Sequence, residues 1–229
     1  MIPVIQKRKP RTISAEQGEI RAPRLQGLPS LPGHGYTIPR STYRYEQVSW
    51  EVFMDNTYDG YKSVRSSFIP YVIANGEYYW LLGSFYDFPR DILTDFGGSC
   101  IIFDPPKKYH QMGGKQFRHY QHAFGCAMLE LNEESKGLLV KPVLASLGTN
   151  QITVYRGTND KYKEYVWFIM VPLDYQIVKP IMDRFIHTPD ISIDEKLGPL
   201  DLYRVSDILS GKHRTSRNLT DFVNYLRQQ

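Results

Sequence analysis

Three carboxylates crowd a short stretch of this chain. Glu130, Glu133 and Glu134 stand in the order i, i+3, i+4. On a helix that spacing puts all three on one face. Like charges held so close repel, and the usual reason to gather them is a divalent cation, because hard ions such as Mg²⁺ take oxygen ligands. The competing reading is an acidic helix face that meets only water. Glycines bracket the cluster: Gly97 and Gly98 before it, Gly137 after it. Glycine permits tight turns and close approach of backbone to a ligand. The chemistry on offer is a cation held by oxygen ligands beside a tight backbone bend.

Those residues need a scaffold, and the flanking sequence supplies one. Residues 68–74 and 77–84 are rich in aromatic and β-branched types and read as strands. Asn75-Gly76 between them is a type I′ hairpin signal. Residues 85–93 read as a loop that leads to the glycine pair. The acidic stretch reads as a helix. After it, residues 138–147 read as an edge strand because of Pro142. Residues 151–156 and 165–171 read as further strands joined by a polar turn at 157–161. The second of these, Tyr-Val-Trp-Phe-Ile-Met-Val, is apolar throughout and is expected to be the most buried, with its aromatics in the core. Residues 175–187 carry apolar side chains at helical spacing, with Pro180 expected in the first turn. A short strand at 200–205 and an amphipathic helix at 215–227 close the chain. Residues 41–67, rich in tyrosine, read as a lead-in with one short strand near 47–54.

Gly-Gly, an acidic residue at Asp104 six positions after Gly98, and then Ala-x-x-Glu-Leu-x-Glu-Glu-x-x-Gly-Leu together resemble a Nudix box. The resemblance covers about residues 68–227, with strong spacing only at the box. It implies an α+β fold, an α/β/α sandwich around a mixed sheet, over residues 68–229. It implies Mg²⁺ or Mn²⁺ held by Glu130, Glu133, Glu134 and Asp104, with the three glutamates catalytic. The reaction implied is cleavage of a pyrophosphate bond in a nucleoside diphosphate derivative, which could be a dinucleotide polyphosphate, a nucleotide sugar or an mRNA cap. A carboxylate from a later loop, such as Glu164, could serve as general base. Four departures stand out. Leu129 occupies the place of an arginine that braces the box in the family. Asp104 is shorter than the usual glutamate. Residues 105–124 are inserted between the glycines and the helix. Lys136 is one residue too many before Gly137. The lost arginine points to a weakened or redirected site.

The insertion is basic. Lys107, Lys108, Lys115 and Arg118 could face a polyphosphate, with Gly97 and Gly98 beside it; the other reading is a surface excursion or a contact with a neighbouring subunit. His119, His122 and Cys126 form a loose fragment of a zinc site with no second pair to complete it.

The chain has 229 residues, of which 41% are hydrophobic and 23% charged, enough for one domain with a core plus decoration. Its net charge of +4 is unevenly placed: residues 1–40 carry +5 and the remainder −1. Six prolines in residues 1–40 favour an extended arm. Lys7, Arg8, Lys9 and Arg11 could touch nucleic acid or an acidic protein surface. No apolar run is long enough for a membrane span. Two cysteines make no disulfide framework, so a reducing compartment is expected, cytoplasmic or, for a viral protein, the virion. Nudix-like proteins are also encoded by large DNA viruses. Two functions therefore stand side by side: a Nudix-type hydrolase, and a catalytically degenerate Nudix-fold protein of a virus particle or ribonucleoprotein, anchored by its arm.

Overall fold

The computed structural model describes residues 42–54, 63–84, 92–100, 123–149, 151–191 and 197–229. The basic arm, Asp104, His119, His122, Lys107, Lys108, Lys115 and Arg118 lie outside the described residues.

Two long strands form the centre of the sheet. Strand β7 (Glu164–Pro172) is the continuous apolar run, and Val166, Trp167, Phe168 and Ile169 are all buried. Side chains that alternate between two covered faces make such a run apolar throughout. Strand β2 (Ser63–Ala74) lies parallel to β7, with Ser63 opposite Glu164 and Tyr71 opposite Pro172. Strand β6 (Thr153–Asn159) pairs antiparallel with β7, and β1 (Arg44–Val48) pairs antiparallel with β6 at the edge. The tyrosine-rich lead-in thus contributes an edge strand to the sheet.

On its other side β2 changes partner along its length. Strand β5 (Phe96–Cys100) pairs with residues 64–68, and β3 (Glu77–Ser84) pairs with residues 71–74, both antiparallel. Pro70, which has no N–H to give, falls between the two partners. The β2–β3 turn is as read from sequence: Asn75 and Gly76 have φ of 53° and 76°. Short strands β4 (Ile92–Thr94), β8 (Asp201–Arg204) and β9 (Arg214–Thr215) extend this side.

Helices cover both faces. On one, α1 (Trp50–Met54), α2 (Ala123–Glu134), α3 (Val140–Leu147) and α4 (Tyr175–Phe185) pack Phe53, Leu131, Val143 and Phe185 against Phe68, Trp167 and Ile169. On the other, α5 (Val205–Leu209) and α6 (Arg217–Leu226) pack Ile208 and Phe222 against Ile69, Trp80 and Phe168. The α+β sandwich with a mixed sheet is the architecture expected.

Several elements differ from the sequence reading. Residues 138–147 are not an edge strand: they hold helix α3. Pro142 is its third residue, in the first turn, where a missing N–H leaves no bond unmade. Leu139 and Val143, four apart, are both buried. In the region read as one strand at 47–54, β1 ends at Val48 and Trp50–Met54 is helical. Pro180 sits in the sixth position of α4, inside the helix. The polar turn lies at residues 160–163, because Gly157 continues β6. Residues 92 and 93, read as loop, belong to β4, and Thr215 belongs to β9 ahead of α6.

Helix α4 starts where Asp174 accepts a hydrogen bond from the Gln176 amide at 2.7 Å. Asp174→Ala is expected to cost about 1 kcal/mol, read as a lower urea midpoint with an unchanged slope.

A candidate active site on the edge of strand β5

The helix that carries the glutamates buries a stripe made of Ala123, Cys126, Ala127, Glu130, Leu131 and Glu134. Its positions recur every three or four residues, as one helical face requires. Two of the three glutamates are therefore part of the inward stripe, at 8% and 9% exposure. That excludes the solvated-face reading for Glu130 and Glu134. Glu133 sits beside the stripe and is half-buried.

What those two carboxylates meet is the glycine pair. In β5, Gly97 lies opposite Ser67 and Gly98 opposite Ser66. Glu134 Oε2 accepts the Gly97 N–H at 2.7 Å. A Cβ added to Gly98 would lie 2.3 Å from the Glu130 carboxyl carbon and Oε1. The Glu130 carboxylate thus occupies the space that any other residue at 98 would fill. A Cβ on Gly97 would lie 2.0 Å from Ser67 Cβ. The two glycines therefore do separate jobs: Gly97 lets β5 approach β2, and Gly98 makes room for a carboxylate.

Sequence reasoning missed two further charged residues here. Arg65, on β2, donates to both carboxylate oxygens of Asp95, at 2.7 and 3.2 Å. It also donates to the Gly97 carbonyl at 2.8 Å. Asp95 is fully buried and Arg65 nearly so. Burial works against the guanidinium charge. Asp95, by its charge and hydrogen bonds, and the charges of Glu134 and Glu130 together outweigh that, so the Arg65 pKa lies above its ordinary value. The one sequence signal for Asp95 was its place directly before Phe96-Gly97-Gly98. Arg65 gave none, because it stands in the polar opening Ser-Val-Arg-Ser-Ser of a strand.

The remaining expectations fall as follows. Among the described residues no group of three or more His, Cys, Asp or Glu side chains stands at cation-binding spacing. Of the expected acidic set, the described residues bury two, Glu130 and Glu134. Glu164 is not on a loop: it opens β7, and its Oε2 accepts the Tyr43 hydroxyl at 2.8 Å. Burial first, and then that hydrogen bond and the Glu164 charge, push the Tyr43 pKa up. Cys126 is disulfide-bonded, which removes it from the zinc fragment and stands against the reduced cysteines expected. Its Sγ lies 3.8 Å from the Gly98 carbonyl oxygen.

Lys136, the surplus residue of the box, has a structural task. It and Gly137 take φ of 55° and 75° as the chain leaves α2. Its ammonium donates to the Phe185 and Thr188 carbonyls at 3.2 and 2.9 Å and pairs with Asp190 at 3.0 Å. It lies 4.5 Å from the centre of the Phe185 ring. A cation among the carbonyls that end α4 is favourably placed, and here it ties the end of α2 to the end of α4.

No protein-family model and no curated protein matches the sequence. Among solved structures, the Caenorhabditis elegans Ap4A hydrolase in a binary complex is 12% identical, over 73% of this chain and 96% of that one, with a TM-score of 0.36. The Nudix domain of Shewanella oneidensis NrtR, complexed with ADP ribose, is 9% identical over 79% and 92%, with a TM-score of 0.39. A mutT/nudix family protein of Listeria innocua is 11% identical over 71% and 90%, with a TM-score of 0.38. At these scores the likeness assigns neither family nor activity. No helix among the described residues is long and apolar enough to cross a membrane.

Proposed function

We propose that the edge of β5 is the cation site of a Nudix-type pyrophosphohydrolase. The observation that carries this reading is the placement of Glu130 and Glu134 on the buried stripe of α2, against Gly97 and Gly98. Two carboxylates suit Mg²⁺ or Mn²⁺, since Mg²⁺ is usually held by one or two carboxylates, with water and substrate phosphates completing its shell. Glu130 and Glu134 would hold the ion, joined by Asp104 from outside the described residues. A bound ion there would polarise a phosphoryl oxygen and acidify water. Glu133, half-buried beside the pair, would take the proton. The substrate would be a nucleoside diphosphate derivative, capped RNA included. Lys107, Lys108, Lys115 and Arg118 would offset its charge.

Purified protein with Mg²⁺ or Mn²⁺ is to be assayed against a panel of such pyrophosphates. Wild type should turn over at least one of them, and Glu134→Gln should lower kcat/KM by about a hundredfold, a barrier change of about 2.7 kcal/mol. Absence of turnover in wild type, or equal turnover in the variant, overturns the hydrolase reading.

One observation favours a second reading. Glu134 already accepts the Gly97 N–H, so the acidic pair would serve as a clip between α2 and β5 in a non-catalytic protein of a larger assembly. Residues 1–40 would then anchor it, through Lys7, Arg8, Lys9 and Arg11, to protein or nucleic acid. Deleting residues 1–40 should abolish incorporation and leave the domain folded. Normal assembly of the truncated protein would remove the arm from that role.

A further inference from the structure

Gly97 is held at both of its main-chain groups, which belong to the two peptide units that flank its Cα. Arg65 Nη2 donates to its carbonyl at 2.8 Å, and Glu134 Oε2 accepts from its amide at 2.7 Å. Arg65 is itself fixed, because Asp95, fully buried, takes its fork at 2.7 and 3.2 Å. A bidentate guanidinium–carboxylate pair holds direction as well as distance. The helix offers no such group of its own, since Leu129 precedes Glu130.

We propose that Arg65 is a positioning residue for the acidic pair. Its guanidinium fixes the 97–98 peptide through the Gly97 carbonyl, the adjoining 96–97 peptide holds the Glu134 carboxylate through the Gly97 N–H, and the affinity of Glu130 and Glu134 for a divalent cation therefore depends on a residue that touches no cation. The inference rests on the cation reading above for its second half only. The first half, that Arg65 holds the backbone at Gly97, concerns the metal-free protein.

The test uses the full chain. Arg65→Lys keeps the charge but loses the fork that reaches Asp95 twice and Gly97 once. Mn²⁺ is titrated into metal-free protein by calorimetry, well below the unfolding temperature. Hydrogen exchange at the Gly97 amide is followed by NMR. Arg65→Lys is expected to weaken Mn²⁺ binding and to speed Gly97 exchange by about tenfold each, the lower end of what an outer-shell partner usually contributes. Arg65→Met should do more. If Arg65→Met fails to fold, Asp95→Asn, which loosens the same fork, takes its place. Mn²⁺ affinity and Gly97 exchange both unchanged in Arg65→Lys overturn the proposal. If wild type itself binds no Mn²⁺, the cation reading fails alone. Gly97 exchange then decides the first half: faster in Arg65→Lys supports it, unchanged overturns it.

Discussion

Gly97→Ala should destabilise the domain by about 3 kcal/mol or more, the upper range for overpacking, while its neighbour Gly98→Ala should fold and, on the cation reading proposed above, bind Mn²⁺ more weakly. The added methyl meets different things at the two positions. At 97 it would lie 2.0 Å from Ser67 Cβ, 2.6 Å from Ser67 Cα and 2.7 Å from the Ser66 carbonyl oxygen. Two of these are backbone atoms of a paired strand, which no rotamer change can move aside. Relief requires β5 to shift off β2, and five registered pairs hold it there. At 98 the three atoms nearest the methyl all belong to the carboxylate end of Glu130. That side chain can rotate away, at the expense of the site. Urea unfolding measures the first effect and Mn²⁺ titration the second. A Gly98→Ala protein that binds Mn²⁺ as wild type does would remove Glu130 from the site.

Phe222→Ala is the second large effect, expected at about 3–5 kcal/mol from lost burial plus the cavity left behind. Phe222 is fully buried and stacks on Phe168 with ring centres 4.4 Å apart. Tyr155, Tyr45, Trp80 and Tyr225 stand around it at 5.1, 5.5, 6.3 and 6.3 Å. Rings of this kind cannot collapse into the space a phenyl group leaves, because each is held by other contacts. Phe222→Leu should recover most of the loss, and equal midpoints for the Ala and Leu variants would contradict the cavity argument. The acidic pair lies on a helix of the opposite layer, so Mn²⁺ affinity should be unchanged wherever the variant remains folded.

What the sequence disclosed, and what it hid, follow from the range of each interaction. Hairpin Asn75-Gly76 and strand β3 were legible because turn chemistry and side-chain type act over a few residues. So was β7, whose apolar run is long enough to leave one reading. Helix α3 was misread because Leu-Leu-Val-Lys-Pro-Val-Leu fits an edge strand as well as a first helical turn, and only packing of Leu139 and Val143 decides between them. At the site, the i, i+4 relation of Glu130 and Glu134 was visible. Their burial was not, since it depends on what the helix meets. Arg65 is separated from Asp95 by 30 residues, and no local pattern joins them. Lys136 counted against the motif when read by spacing, yet its task is set by carbonyls some fifty residues on.

The position of β1 bears on how this protein can be handled. Across the sheet the order runs β1, β6, β7, β2, with β5 beyond β2. Four strand spacings of about 4.8 Å place β1 roughly 19 Å from the glycine pair across the sheet. Asp221 on α6 pins the residues just ahead of β1, accepting from the Thr42 amide at 2.7 Å and its hydroxyl at 3.1 Å. A purification tag, fluorophore or surface tether joined directly to Thr42 in a protein that starts there therefore attaches at the β1 side of the sheet, four strands from the acidic pair.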